Sequence, residues 1–244
     1  MSQPRVLVVQ HTASEDAGRL GDWLSAAGLE LQAVRPYAGE ALPRGLQGYA
    51  GLLVLGGPQA AYVDERAAYE ADWLPATKML LREAVGTSTP TLAICLGAQL
   101  LAEACGGRVQ PGANGPEIGA RLVAKRDIGA QDELFGLVPF TPDVLQWHHD
   151  EIAELPRGAV LLASSPAYAN QAFRIGDRAW GLQFHIETTP EQVGQWAEEE
   201  RERLTALGLD VDAVVAGAIA VHGDLEEVWR PVAERFAALV AGAR

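Results

Sequence analysis

Three short segments carry residues whose types and spacing can do chemistry. In residues 91–99 (TLAICLGAQ) an apolar strand ends at Cys95, and Gly97 lets a helix begin at once. A sharp strand–cysteine–helix turn exposes the sulfur at the end of a parallel sheet and points the helix N-terminus at it. Oriented N–H groups there favour a thiolate and can hold a developing oxyanion. The same apolar run also suits an inert core cysteine. In residues 181–187 (GLQFHIE) an extended chain puts His185 and Glu187 on one side. A carboxylate beside an imidazole fixes its tautomer and stabilises its charged form. In isolation such a pair reads first as a partly buried histidine with a nearby surface glutamate. The third segment, Leu55-Gly56-Gly57-Pro58, closes a strand with two glycines that let the backbone approach a ligand. Alone it is also an ordinary turn, and it lacks the lysine and longer glycine pattern of a phosphate loop.

Positioning these segments requires a particular set of elements. Short β-rich apolar runs alternate with helical patterns, which predicts a mostly parallel sheet covered by helices. Strands are expected at residues 5–10, 29–35, 51–55 and 91–94, then at 120–125, 144–147, 160–163, 169–175 and 179–184. Helices are expected around Trp23 and Leu24, at 65–85 with Pro75 dividing it, and at 97–104 before Gly106-Gly107. After His185 the character turns helical, at 190–207, 211–221 and 225–241, with Thr189-Pro190 as a helix start. No repeat or long linker interrupts the 244 residues, so a single domain with a helical C-terminal layer is the simplest organisation.

Taken together and in this order, the three segments resemble the class I (triad-type) glutamine amidotransferase family. That pattern has a Gly-Gly-Pro strand end, a G-x-C-x-G turn running into Gln-Leu-Leu/Met, and a late Gln-Phe-His-x-Glu. Here they read Gly56-Gly57-Pro58, Cys95-Leu96-Gly97-Ala98-Gln99-Leu100-Leu101 and Gln183-Phe184-His185-Ile186-Glu187. Gly106-Gly107, Pro116-Glu117-Ile118-Gly119 and Trp147-His148-His149-Asp150 extend the likeness over about 190 residues. It implies a flavodoxin-like fold, with 1–190 as the catalytic core and 191–244 as a helical extension packed on the same domain. It also implies Cys95 as nucleophile, His185 as general base and acid, and Glu187 as its orienter. Backbone N–H groups of Gly57 and Leu96 would form the oxyanion hole. Gln99, Trp147, His148 and Asp150 would contact substrate, Asp150 by pairing with an α-ammonium group. Three positions depart from the pattern: Ala93 for the first glycine of the turn, Ile186 for the usual proline, and His149 for a frequent glycine. None removes a catalytic group.

The implied activity is glutamine γ-amide hydrolysis through a γ-glutamyl thioester, with ammonia passing to a separate synthetase protein, as in the amidotransferase part of GMP synthase. No nucleotide signature follows His185, and the 57 residues after Glu187 are too few for a synthetase domain. Alternatives are a hydrolase of γ-glutamyl peptides or γ-glutamylated amines, and a non-catalytic binding protein on this fold. No cofactor or metal is expected. His148-His149-Asp150 looks metal-like, but adjacent extended residues point to opposite faces. The charged run 198–203 reads as a solvated helix face, and Trp196, Trp229 and Phe236 as packing anchors. His11 and His222 read as structural or surface residues, and Cys105 as core filler. A formal charge of −13, from 19 basic and 32 acidic residues, argues against nucleic acid or an anionic membrane as partner. Two cysteines, no cleavage-site pattern and no span-length apolar run predict a cytoplasmic protein. A homodimer through the C-terminal helices is compatible with the pattern.

Overall fold

The computed structural model describes residues 3–62 and 71–242. Its centre is an eight-stranded sheet. Four parallel strands occupy one half: β1 (Arg5–Val9), β2 (Glu30–Val34), β3 (Gly51–Val54) and β4 (Thr91–Ile94). Three short strands follow in sequence, β5 (Arg108–Pro111), β6 (Glu117–Leu122) and β7 (Ala124–Lys125), then β8 (Asp143–His148) and β9 (Asp150–Glu154). The sheet is completed by β10 (Val160–Ser164), β11 (Ala172–Ile175) and β12 (Ala179–Leu182), in the order β2-β1-β3-β4-β12-β11-β10-β7. β12 runs parallel to β4, whereas β11, β10 and β7 are antiparallel to their neighbours. Two ribbons, β5–β9 and β6–β8, stand apart from this sheet.

The continuous apolar run of β1 follows from burial on both faces. Val6 and Val8 enter one core cluster and Leu7 and Val9 the other. Helix α1 (Gly18–Ala26) and the long α6 (Val211–Gly242) cover the first face, where Trp229 and Phe236 are fully buried. Helices α2 (Leu74–Gly86) and α3 (Leu96–Ala104) cover the second. A third cluster joins the β6–β8 ribbon to α4 (Pro190–Glu199), α5 (Arg201–Ala206) and the start of α6, through Ile118, Leu145, Trp147, Trp196, Leu204 and Val211.

The expected parallel half is present nearly residue for residue, with β4 matching its expected bounds. The differences lie elsewhere. The single helix expected over 190–207 breaks at Glu200 into α4 and α5, and the pair expected at 211–221 and 225–241 is one helix. Gly223 lies on the exposed side of α6, where its propensity cost is outweighed by the apolar stripe beneath. Residues 108–111 and 150–154, where the sequence marks no strand, are β5 and β9, which pair with each other. Of the helix expected at 65–85, residues 65–70 lie outside the described residues; α2 begins at Leu74, with Pro75 in its first turn, where proline is tolerated.

Candidate active site

The C-terminal ends of four adjacent strands, β1, β3, β4 and β12, converge on one edge of the sheet, where ligands of open α/β folds bind. Cys95 immediately follows β4, with φ 50° and ψ −108°, the turn that lets strand become helix within one residue. Positive φ strains a residue bearing a Cβ, and such strain concentrates at functional positions. A Cβ on Gly97 would run into the Val54 carbonyl, so only glycine lets the turn sit this close to β3. Ala93 is fully buried and its small side chain fits where the family pattern has glycine.

Three residues beyond β12 lies His185. Its backbone bridges to β8: His185 N–H donates to the Leu145 carbonyl at 2.8 Å. Its Nδ1 donates to Glu187 Oε1 at 2.6 Å, and Glu187 Oε2 accepts the Ile186 N–H at 2.9 Å. Both residues are 1% exposed. Trp196 on α4 stacks edge-on against the imidazole, centroids 4.9 Å apart. His185 Nε2 is buried without a hydrogen-bond partner among the described residues, while the ring and the Cys95 thiol stand close enough to shift each other's titration. Burial pushes the Cys95 thiol up, against the opposing pull of His185. Burial disfavours the charged imidazole too, but Glu187 and then Cys95 outweigh it and hold His185 well above its ordinary range.

Gly57 lies against the Leu96 side chain, a Cβ on Gly57 falling 2.9 Å from Leu96 Cδ2. Gln99 is 4% exposed; its amide donates to Gln183 Oε1 at 3.2 Å and to the Asp150 carbonyl at 3.4 Å. Gln183 Nε2 in turn reaches Cys95 Sγ at 3.8 Å, as the thiol reaches the Trp147 carbonyl. Gly57, Cys95, Gln99 and His185 line one cavity of about 720 Å³ with Trp147, His148 and Asp150. Every residue expected at the site borders this cavity except Leu96, the first residue of α3, and Glu187, which lies behind His185.

The two adjacent histidines face different carboxylates. His148 Nε2 lies 3.2 Å from Glu117 Oε2, whereas His149 Nε2 lies 2.9 Å from Glu200 Oε2. Glu117 also accepts from Ser165 and Gln171, and these hydrogen bonds with His148 hold its carboxyl below the usual range despite burial. Among the described residues no group of three or more His, Cys, Asp or Glu is arranged to hold a metal ion. His11 and His222 are both buried; His11 Nδ1 accepts from Trp73 Nε1 at 2.9 Å, and burial lowers its pKa to about 3.

Part of the site escaped the sequence reading. The run 198–203 is not wholly a solvated face: Glu198 and Arg201 pair in solvent, but Glu200 accepts Trp147 Nε1 at 2.8 Å and lines the cavity. The helix break at Glu200 turns it inward, and nothing in the local pattern marks that break. Trp196 is a packing anchor as expected and also a wall of the cavity. Glu15, on the loop after β1, borders the cavity as well, its only advance signal being an acidic residue just beyond a parallel strand.

The family model described as glutamine amidotransferase class-I matches residues 21–199. The chain belongs to the class I glutamine amidotransferase family. A crystal structure of a glutamine amidotransferase from Thermotoga maritima superposes with TM-score 0.85 at 31% identity, covering 97% of this chain and 99% of that one. The glutamine amidotransferase-like protein YfeJ of Salmonella typhimurium is 31% identical over 208 residues, 82% of each chain. Gamma-glutamyl peptidase 4 of Arabidopsis thaliana is 30% identical over 144 residues, 58% of this chain and 55% of that one. This member of the family thus resembles relatives named as glutamine amidotransferases and one named as a gamma-glutamyl peptidase at similar identity. Among the described residues, none of its helices is long and apolar enough to cross a membrane.

Proposed function

We propose that this chain hydrolyses a γ-glutamyl amide, glutamine in the first instance, with Cys95 as nucleophile, His185 as general base and acid, and Glu187 as the carboxylate that orients His185. The observation that carries the reading is the unpartnered Nε2 of His185, buried and held from behind by Glu187 at 2.6 Å, opposite a cysteine on a strained strand–helix turn. As Cys95 attacks, its proton resides on His185, and Glu187 behind the ring stabilises the imidazolium. Attack on the γ-carbonyl carbon forms a C–S bond and an oxyanion facing the N–H groups of Gly57 and Leu96. His185 then protonates the amide nitrogen, the C–N bond breaks and the amine leaves. Water, deprotonated by His185, attacks the thioester, releasing glutamate and restoring the thiol.

A cavity of about 720 Å³ lies in the size range of pockets for small organic ligands. It favours a second reading in which γ-glutamyl amides larger than glutamine are also cleaved. With glutamine, ammonia would go to a separate acceptor protein. The test is release of ammonia from glutamine, and of amine from γ-glutamyl amides, by wild type and Cys95→Ala, with and without extract of the source cell. Turnover lost in Cys95→Ala is expected. Equal turnover in the two proteins refutes the mechanism, and silence of wild type on every substrate, extract included, favours a binding protein.

A further inference from the structure

The cavity walls hold more negative charge than a γ-glutamyl head group can use. A zwitterionic glutamyl head needs one anion and one cation, and Asp150 and Arg203 both border the cavity. Glu200 is already engaged by Trp147, His149 and Arg203. Three further carboxylates line the same space: Glu15 after β1, Glu199 at the end of α4 and Glu202 in α5. Among the described residues no lysine or arginine pairs with any of the three, and Glu15 faces only the His185 ring. Among the described residues Glu199 accepts only from Ser14 Oγ at 3.3 Å and Gln195 Nε2 at 2.8 Å, and the Glu15 carboxyl has no hydrogen-bond partner.

One of the three stands beside the acid–base histidine. The point where Gly56 would carry a Cβ is occupied by Glu15 Oε2 and lies 3.2 Å from His185 Cε1. The Glu15 carboxyl thus stands beside the imidazole that hands its proton to the departing nitrogen, and the Ser14 hydroxyl ties Glu199 to the same loop. His185, itself 1% exposed, lines the same cavity with Cys95, and its buried Nε2 lacks a hydrogen-bond partner among the described residues, so a reacting group of the ligand belongs there. The local field is negative. Burial first, then Glu187, Glu200 and Glu199, against the pull of His185, raise the Glu15 pKa to about 7.

We propose that the amine released by this site carries a positive charge of its own, read by Glu15, Glu199 and Glu202, so that the preferred substrate is a mono-γ-glutamylated diamine or polyamine. This rests on the hydrolase reading above. The C–N bond between the γ-carbonyl and the proximal nitrogen breaks, His185 protonates that nitrogen, and water supplies the elements that leave glutamate and a free di- or polyamine. The distal ammonium takes no part in bond making; its role is to lodge the chain among the three carboxylates. A glutamyl amide ending in a carboxylate is repelled by the same groups. Glu199 and Glu202 are exposed, so their share is screened by salt, whereas that of half-buried Glu15 persists.

The experiment compares kcat/KM for N-(4-aminobutyl)-γ-glutamylamide, its uncharged isostere N-pentyl-γ-glutamylamide, and γ-glutamyl-4-aminobutyrate, with glutamine as reference. Wild type should favour the cationic amide over the isostere by about tenfold or more, the size expected when several partly exposed ion pairs add. The carboxylate-bearing amide should be the poorest. Glu15→Gln, and separately the surface pair Glu199→Gln with Glu202→Gln, should each shrink the cationic-to-neutral ratio, as should half-molar salt. A ratio near one in wild type, with glutamine or any γ-glutamyl amide still cleaved, overturns this inference alone. A ratio that survives both sets of substitutions overturns the assignment of the carboxylates. No cleavage of any compound overturns the hydrolase reading and this one with it.

Discussion

Replacing Glu15 by glutamine should stabilise the protein, and by an amount that depends on pH in a defined way. The Glu15 carboxyl titrates at about 7 in the folded chain against 4.5 for a free glutamate. A folded-state pKa above the unfolded one means that the native state binds its proton more tightly, so ionisation costs stability as pH rises. At about 1.4 kcal/mol per pKa unit the cost is roughly 0.4 kcal/mol at pH 4.5, about 2 at pH 6, and about 3 at pH 8, where it levels off. Those figures are ceilings, because the half-buried carboxyl still meets solvent through the open cavity; about 1.5–3 kcal/mol is expected at pH 8. Glutamine keeps the shape and never ionises. Urea denaturation of both proteins at pH 4.5, 6, 7 and 8 measures the difference. The variant should match wild type near pH 4.5 and gain steadily to pH 8. A difference independent of pH, or a variant less stable at pH 8, refutes the electrostatic argument. A stability gain accompanied by loss of cationic preference would mark Glu15 as a residue kept for function at the expense of stability.

Two further outcomes follow from the same geometry. Glu187→Gln should lower kcat/KM by about 10²- to 10⁴-fold with little loss of structure, because an amide at that position no longer fixes the His185 tautomer; steady-state kinetics beside a thermal melt checks this, and activity within tenfold of wild type would refute the role. Trp229→Ala should cost about 3–5 kcal/mol, since the ring is fully buried between Phe135 and Phe184 and its Nε1 donates to the Asp143 carbonyl at 3.1 Å. A single cooperative unfolding transition with that loss supports α6 as part of one folding unit with the sheet, and an unaffected midpoint speaks against it.

What the sequence determined by itself is local or periodic. Val6 to Val9, Leu52 to Val54 and Leu92 to Ile94 are continuous apolar runs because both faces of a parallel sheet are covered, and that signature survives in one dimension. Cys95 with Gly97, and His185 with Glu187, are legible for the same reason: the turn and the alternation of an extended chain fix their geometry over two residues. Tertiary structure alone decided the rest. β5 and β9 find each other across some forty residues, and neither short segment has a periodicity of its own. Glu200 joins the cavity because a helix breaks there and Trp147 and His149 supply donors from another element. Glu15 gains its unusual titration only when burial and the carboxylates of Glu187, Glu200 and Glu199 gather round it. Desolvation and through-space charge depend on distances between elements, and those distances exist only once the chain has folded.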